Sequence, residues 1–164
     1  PLAYTPEALA EEYATVWRMR ESCGVGLRDP HLTFGGQMIV PFDQAEPPFW
    51  RRNHYGRQTL LSLYHMTPRN LPAYVEAVHR ARATYVNGYP SAIHLVARAM
   101  LAIDRRLQPG DVRAVFTSSE SLLAFQREAI EAAFSAPVFD RYGTSEFAVS
   151  MTACLLYTSD AADE

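Results

Sequence analysis

Four short clusters of polar and aromatic residues hold the chemistry this chain can do: Tyr64-His65, Asn87-Gly88-Tyr89-Pro90-Ser91, Thr117-Ser118-Ser119-Glu120 and Tyr142-Gly143-Thr144-Ser145-Glu146. Hydroxyls beside carboxylates, without a Cys/His cluster, suit a magnesium nucleotide, because Mg²⁺ takes oxygen ligands, commonly carboxylates together with phosphate oxygens. Phosphate chemistry is therefore the expectation. Plainer roles stand beside it. Ser118, Ser119 and Glu120 would also cap a following helix, Asn87-Gly88 and Gly143 would also form turns, and His65 would also serve as a hydrogen-bonded structural histidine. The joint arrangement favours a site: hydroxyls, an aromatic ring, carboxylates, and glycines that let a ligand approach the backbone.

Other chemistries lack their patterns. His31, His54, His65, His79 and His94 show no HxxxH or short Cys-His spacing, which argues against zinc. A G-x-S-x-G elbow, a Walker-A loop and a G-x-G-x-x-G turn are all missing from the sequence, so a serine hydrolase, a P-loop enzyme and a dinucleotide-binding domain have no support.

The elements that must position the clusters follow from periodicity. Leu9, Tyr13, Val16 and Trp17 have the spacing of a helix with one buried face, ending near Cys23-Gly24. His31 to Val40 reads as strand material interrupted by Gly35-Gly36, and Asp43 to Arg57 as irregular chain. Thr59 to Tyr64 reads as a strand, followed by a helix with Thr67 as N-cap, Pro68 at its first position and an apolar face of Leu71, Tyr74, Val75 and Val78. Thr84 to Asn87 is a second strand, leading into a helix with Ile93, Val96, Ala97, Met100 and Leu101 on one face. After a turn at Gln108 to Asp111, Arg113 to Phe116 is a third strand, with a helix carrying Leu122, Phe125, Ala129, Ile130 and Ala133 beyond it. Pro137-Val138-Phe139 begins a fourth. This alternation predicts an α/β fold, a parallel β-α-β layered sheet with flanking helices. Each cluster then falls at the carboxyl end of a strand, where open parallel sheets bind ligands.

Composition agrees with one packed domain. The 164 residues are 48% hydrophobic and 20% charged, which excludes disorder and a fibrous repeat. Fifteen basic residues face eighteen acidic ones, and three of the acids lie in the last five residues, so the body is neutral and offers no nucleic-acid footprint. No apolar run approaches the ~18 residues of a membrane span, and Cys23 and Cys154 make no disulfide framework. The cytoplasm is the expected address.

At Tyr142-Gly143-Thr144-Ser145-Glu146 the chain resembles the Y-G-x-[ST]-E motif of the AMP-forming adenylating enzymes, the superfamily of acyl-CoA synthetases and luciferases. Tyr85 to Ser91, Val115 to Glu120, Gln126-Arg127-Glu128 and Pro137 to Glu146 together resemble the phenylacetate-CoA ligase branch, in particular its subgroup associated with capsular polysaccharide genes. Pro47 to Arg51 and Leu71 to Glu76 fit that subgroup too, so the resemblance covers about residues 5 to 153.

The resemblance implies ATP and coenzyme A as co-substrates, a small-molecule carboxylic acid as substrate, and neither nucleic acid nor membrane as partner. Glu146 would hold magnesium and Ser145 would contact the nucleotide phosphate, and these two with Thr144 would be the catalytic residues. Tyr142 would pack on the adenine beside Gly143. Ser119 and Glu120, in the slot of a G-[AG]-E stretch, would line the adenine pocket, with serine standing where the family has glycine. Tyr89 and His65 would fall near the acyl pocket. An adenylyl transferase that does not use coenzyme A and a non-catalytic nucleotide-binding remnant remain as alternatives.

The chain opens on Pro1, and Thr5-Pro6-Glu7 reads at once as an N-cap and first helical turn. Residues 1–154 are accordingly expected to be an inner piece of the large N-terminal domain of an adenylate-forming enzyme, inactive alone because the family's phosphate loop and Lys-bearing C-terminal domain match nothing in them. Residues 155–164 resemble translated sequencing-adapter read-through, the alternative being a short strand and an acidic turn. Deleting residues 155–164 is expected to leave the denaturation midpoint unchanged. If Leu155, Leu156 and Tyr157 packed natively, their burial would contribute about 1.5–3 kcal/mol each, so a clear drop on truncation would identify a native strand.

Overall fold

The computed structural model describes residues 5–143 and 150–152. Helix α1 spans Pro6–Ser22, begun as its sequence requires: Thr5 Oγ1 accepts from the Ala8 amide at 3.2 Å, and Pro6 occupies the first turn, where no amide donor is needed. It ends at Gly24, whose φ of +71° turns the chain so that the amides of Gly24 and Val25 reach the carbonyls of Glu21 and Arg20.

Strands β1 (His31–Gly35), β2 (Trp50–Asn53) and β3 (Gln58–Ser62) follow, then α2 (Leu71–Ala81), β4 (Tyr85–Gly88), α3 (Pro90–Ala102), β5 (Ala114–Ser118), α4 (Ala124–Phe134), β6 (Val138–Gly143) and β7 (Ser150–Thr152). One sheet holds all of the strands in the order β2-β3-β1-β4-β5-β6-β7. From β3 to β6 the pairing is parallel, as expected, while β2 and β7 run antiparallel at the edges.

The irregular chain expected over Asp43 to Arg57 therefore contains an edge strand. Trp50-Arg51-Arg52-Asn53 has no apolar alternation because one of its sides faces solvent, and outward arginines guard an edge against further pairing. The start of α2 also differs. A helix begun at Pro68 would set the Pro72 ring against the Pro68 carbonyl; beginning at Leu71, with Asn70 as N-cap, puts Pro72 in the first turn instead. Thr67 holds the preceding turn, its carbonyl accepting from the Asn70 and Leu71 amides. Helix α4 starts at Ala124, later than expected, and Gln126 Oε1 accepts from the Leu123 amide at 3.0 Å.

Side chains alternate across the sheet. Leu32, Phe34, Leu61, Val86, Val115 and Val138 face the layer of α2, α3 and α4, where they pack with Val75, Val78, Ile93, Val96, Met100, Ile130 and Phe134. Tyr85, Ala114, Phe116 and Phe139 face the other way, beneath Val25 and the Met19 and Cys23 end of α1. Among the described residues helices thus cover both faces, three against one. The apolar stripe of α1 was expected to be buried, yet none of its residues is fully so, and Tyr13 is 64% exposed. Phe125 is also exposed, lying edge-on to His94. Among the described residues no helix is long and apolar enough to cross a membrane.

The centre of the sheet depends on Gly88. Its φ is +144°, and a Cβ there would collide with the Phe34 carbonyl, which accepts from the Tyr89 amide at 3.0 Å. Gly88→Ala is expected to cost about 3 kcal/mol or more, since backbone strain and a clash with main chain coincide. Chemical denaturation measures this, and a loss under ~1 kcal/mol, no more than an average point substitution costs, would show that the seam can yield.

Candidate functional site

The chain passes from β1 to β3 on one side and then crosses β1 to place β4 on the other. Strand order reverses at the β1–β4 seam, and in an open α/β sheet the crevice beyond the strands' carboxyl ends at such a point receives ligands. A cavity of about 480 Å³ lies there, between α1 and the ends of β1, β4 and β5. Its roof is the stripe read from the sequence, Leu9, Tyr13, Val16 and Trp17, which explains why that stripe is only half-buried. Its floor includes Thr33, Asn87, Tyr89, Phe116 and Ser118.

Three charged residues complete the cavity. Arg141, from β6, pairs with Glu12 on α1. The Arg20 guanidinium lies among aromatic rings, 4.9 Å from the Trp17 centroid, 5.1 Å from Tyr85 and 5.6 Å from Phe116, an arrangement that binds a cation through the ring quadrupoles. Its Nε is buried and has no hydrogen-bond partner among the described residues. Burial pulls Arg20 down from its ordinary value; Tyr85 opposes the shift and Arg141 adds to it. Burial likewise holds His31, stacked on Tyr85 at 4.6 Å, below the usual histidine range, with Arg20 contributing.

Of the residues singled out in the sequence, Tyr89 divides this cavity from a second one of about 430 Å³ beside Gly36 and Gln58. Thr117 and Ser118 line the first, and Thr117 Oγ1 donates to Asp140 at 2.6 Å. Ser119 and Glu120 sit on the exposed rim. They do not cap α4, the helix that follows. The Glu120 carboxylate instead accepts from the Ser91 amide in the first turn of α3, at 3.1 Å, where the helix dipole favours a negative charge. Ser119 holds φ +70°, the region in which glycine is at ease, so its backbone follows a path that would suit a glycine. Through the Ser118–Arg141 pairing, the backbone of Tyr142 and Gly143 runs on beside that rim. Thr144, Ser145 and Glu146 lie outside the described residues.

His65 lies apart from both cavities. It is buried on Phe49, its Nδ1 lies 2.8 Å from Ser62 Oγ, and the Asn70 side chain donates to its carbonyl. Tyr64 is exposed, donating to the Gly36 carbonyl at 2.9 Å. Among the described residues no group of three His, Cys, Asp or Glu side chains is placed to hold a metal ion, and the magnesium ligand expected at Glu146 is not among them.

Sequence reading missed Arg20, Glu12 and Arg141. A signal existed for the first, because Arg20 stands seven residues beyond Tyr13 and so continues the same helical face. Nothing in the chain joins Glu12 to Arg141 before the fold does.

No protein-family model matches the chain. It is similar to Protein CapK of Staphylococcus aureus, with 33% identity over 133 residues, 81% of this chain and 29% of that protein. A 2-hydroxyisobutyryl-CoA ligase, solved in an open conformation in complex with 2-HIB-AMP and CoA, superposes with a TM-score of 0.53 at 16% identity, covering 85% of this chain and 29% of that one. Apo MatB from Rhodopseudomonas palustris superposes with a TM-score of 0.52 at 17% identity, over 88% of this chain and 26% of that one. The likeness to these structures is one of fold, and the chain spans 29% of the length of the curated relative it matches.

Ser119→Gly is expected to raise the denaturation midpoint slightly. Release of about 1–2 kcal/mol of left-handed strain outweighs the ~0.5–1 kcal/mol of added freedom in the unfolded chain. A lowered midpoint would mean that the serine side chain itself holds the rim.

Proposed function

We propose that this chain is part of the large N-terminal domain of an adenylate-forming acid–thiol ligase of the phenylacetate-CoA ligase branch, here spanned by residues 1–154. The observation that carries the reading is the convergence of Asn87 to Tyr89, Thr117 to Glu120 and the Tyr142-Gly143 backbone on one rim at the strand-order reversal. It is supported by the fold shared with the CoA ligases and by the similarity to CapK. The reaction proposed has two steps. A carboxylate oxygen attacks the α-phosphorus of ATP and pyrophosphate leaves, giving an acyl-adenylate; the coenzyme A thiol then attacks the acyl carbon and AMP leaves.

In this reading the α1 cavity takes the organic part of the acid. Trp17, Tyr89 and Phe116 exclude water from it, and Arg20, charged and partly desolvated, draws anions toward the rim. Ser119 and Glu120, with Tyr142 and Gly143, border the nucleotide, and Ser145 would contact its phosphate, with Thr144 as a further catalytic residue of the same motif. Glu146 would hold magnesium, which when bound neutralises phosphate charge. The residues present orient the reactants, and orientation alone can supply several kcal/mol of a barrier.

The test is Glu146→Gln in the intact enzyme. The substitution keeps the shape and removes the charge, so the protein should fold normally while acid-dependent pyrophosphate release falls about 10²-fold or more, typical of losing one preorganised electrostatic contact. Added magnesium should recover part of the loss. A lowered melting temperature with near-normal pyrophosphate release would make Glu146 a helix-capping acid and defeat the assignment. Release of pyrophosphate without any dependence of acyl transfer on coenzyme A would point to another acceptor.

A further inference from the structure

A separate pocket of about 370 Å³ opens at the amino-terminal edge of the sheet, opposite the cavity under α1. Arg52 comes to it from β2, His54 and Arg57 from the turn into β3, and Arg80 and Arg82 from the end of α2. No Asp or Glu lines it. Arg80 is paired with Glu76 at 2.7 Å, and the Arg57 guanidinium donates to the Arg28 carbonyl, but no ion pair holds Arg52, Arg57 or Arg82 among the described residues.

Two of these arginines stand where glycine would be the easier choice. Arg57 has φ +49°, and Arg82, which ends α2, has φ +46°. Glycine or asparagine usually terminates a helix in this way. Both arginines nevertheless line the same concavity. Guanidinium groups gathered without carboxylates repel one another and create a strong positive potential. An oxyanion relieves it, and the planar fork of arginine matches phosphate with two parallel hydrogen bonds. Three uncompensated cations call for more than one negative charge. The body is balanced in charge only with these arginines counted in, so no basic surface extends beyond them, and the pocket is small, which favours a compact ligand over a long polyanion.

We propose that this pocket binds a multiply charged phosphorylated small molecule, at a site distinct from the α1 cavity. Inorganic tripolyphosphate, titrated calorimetrically into the full chain, is expected to bind saturably at one site, and more weakly as salt rises. Arg57→Gly combined with Arg82→Gly relieves left-handed backbone and should leave the unliganded melting temperature equal or higher while weakening binding ~10-fold or more. Arg20→Gln should not change the affinity. Should the double variant fold poorly, Arg52→Gln reports instead, with the same weakening expected. The proposal is overturned by absence of saturable binding, by unchanged affinity in the folded double variant or in Arg52→Gln, or by loss of binding in Arg20→Gln, which would move the anion to the other cavity. An oligonucleotide binding there more tightly than tripolyphosphate, with stoichiometry set by its length, would overturn the small-molecule assignment.

Discussion

The close approach of β4 to β1 underlies the rest of the molecule. Phe34 offers its carbonyl to the Tyr89 amide across a gap that only a residue without Cβ can occupy, and Gly88 fills that place. This contact locks the strands between which the sheet reverses its order, so it fixes where the crevice opens. Immediately afterwards Pro90 starts α3, whose Ile93, Val96 and Met100 are fully buried against the sheet. Tyr89, held between glycine and helix, can then serve as a wall between two cavities.

An asymmetry of layers gives the crevice its character. Among the described residues three helices seal one face with an aliphatic core, while α1 alone covers the other and meets it chiefly near Met19 and Cys23. Toward its amino end α1 stands off from the strands, and the space beneath it is lined by rings and by Arg20. A guanidinium retained among three aromatic faces is partly desolvated and still attracted to them, which combines an apolar lining with a fixed positive charge. The Glu12–Arg141 pair ties the same helix to β6, whose backbone continues toward the rim.

The rim has its own economy of contacts. Glu120 reaches from the loop after β5 to the first turn of α3, tying two adjacent βα units together at the carboxyl end of their strands. Ser119 must take a left-handed conformation for the chain to make that turn. One short loop therefore both stabilises a neighbouring helix and follows the backbone path expected of glycine.

The sequence by itself determined the alternation of strands and helices, because buried strands and one-sided helices impose period on apolar residues, and it determined which loops end the strands. It also marked the first turn of α1 through Thr5-Pro6, since a cap and a proline act within one turn of chain. Contacts made by distant segments were decided only by the tertiary structure. Strand β2 exists through pairing with β3 and needs no apolar alternation at a solvent-facing edge. Glu120 looked like a cap for the helix that follows it and serves the one before, because the loop is turned by Ser119 toward α3. Likewise the stripe on α1 could be read as buried, but whether it met a core or a cavity depended on how far the helix stands from strands encoded many residues later.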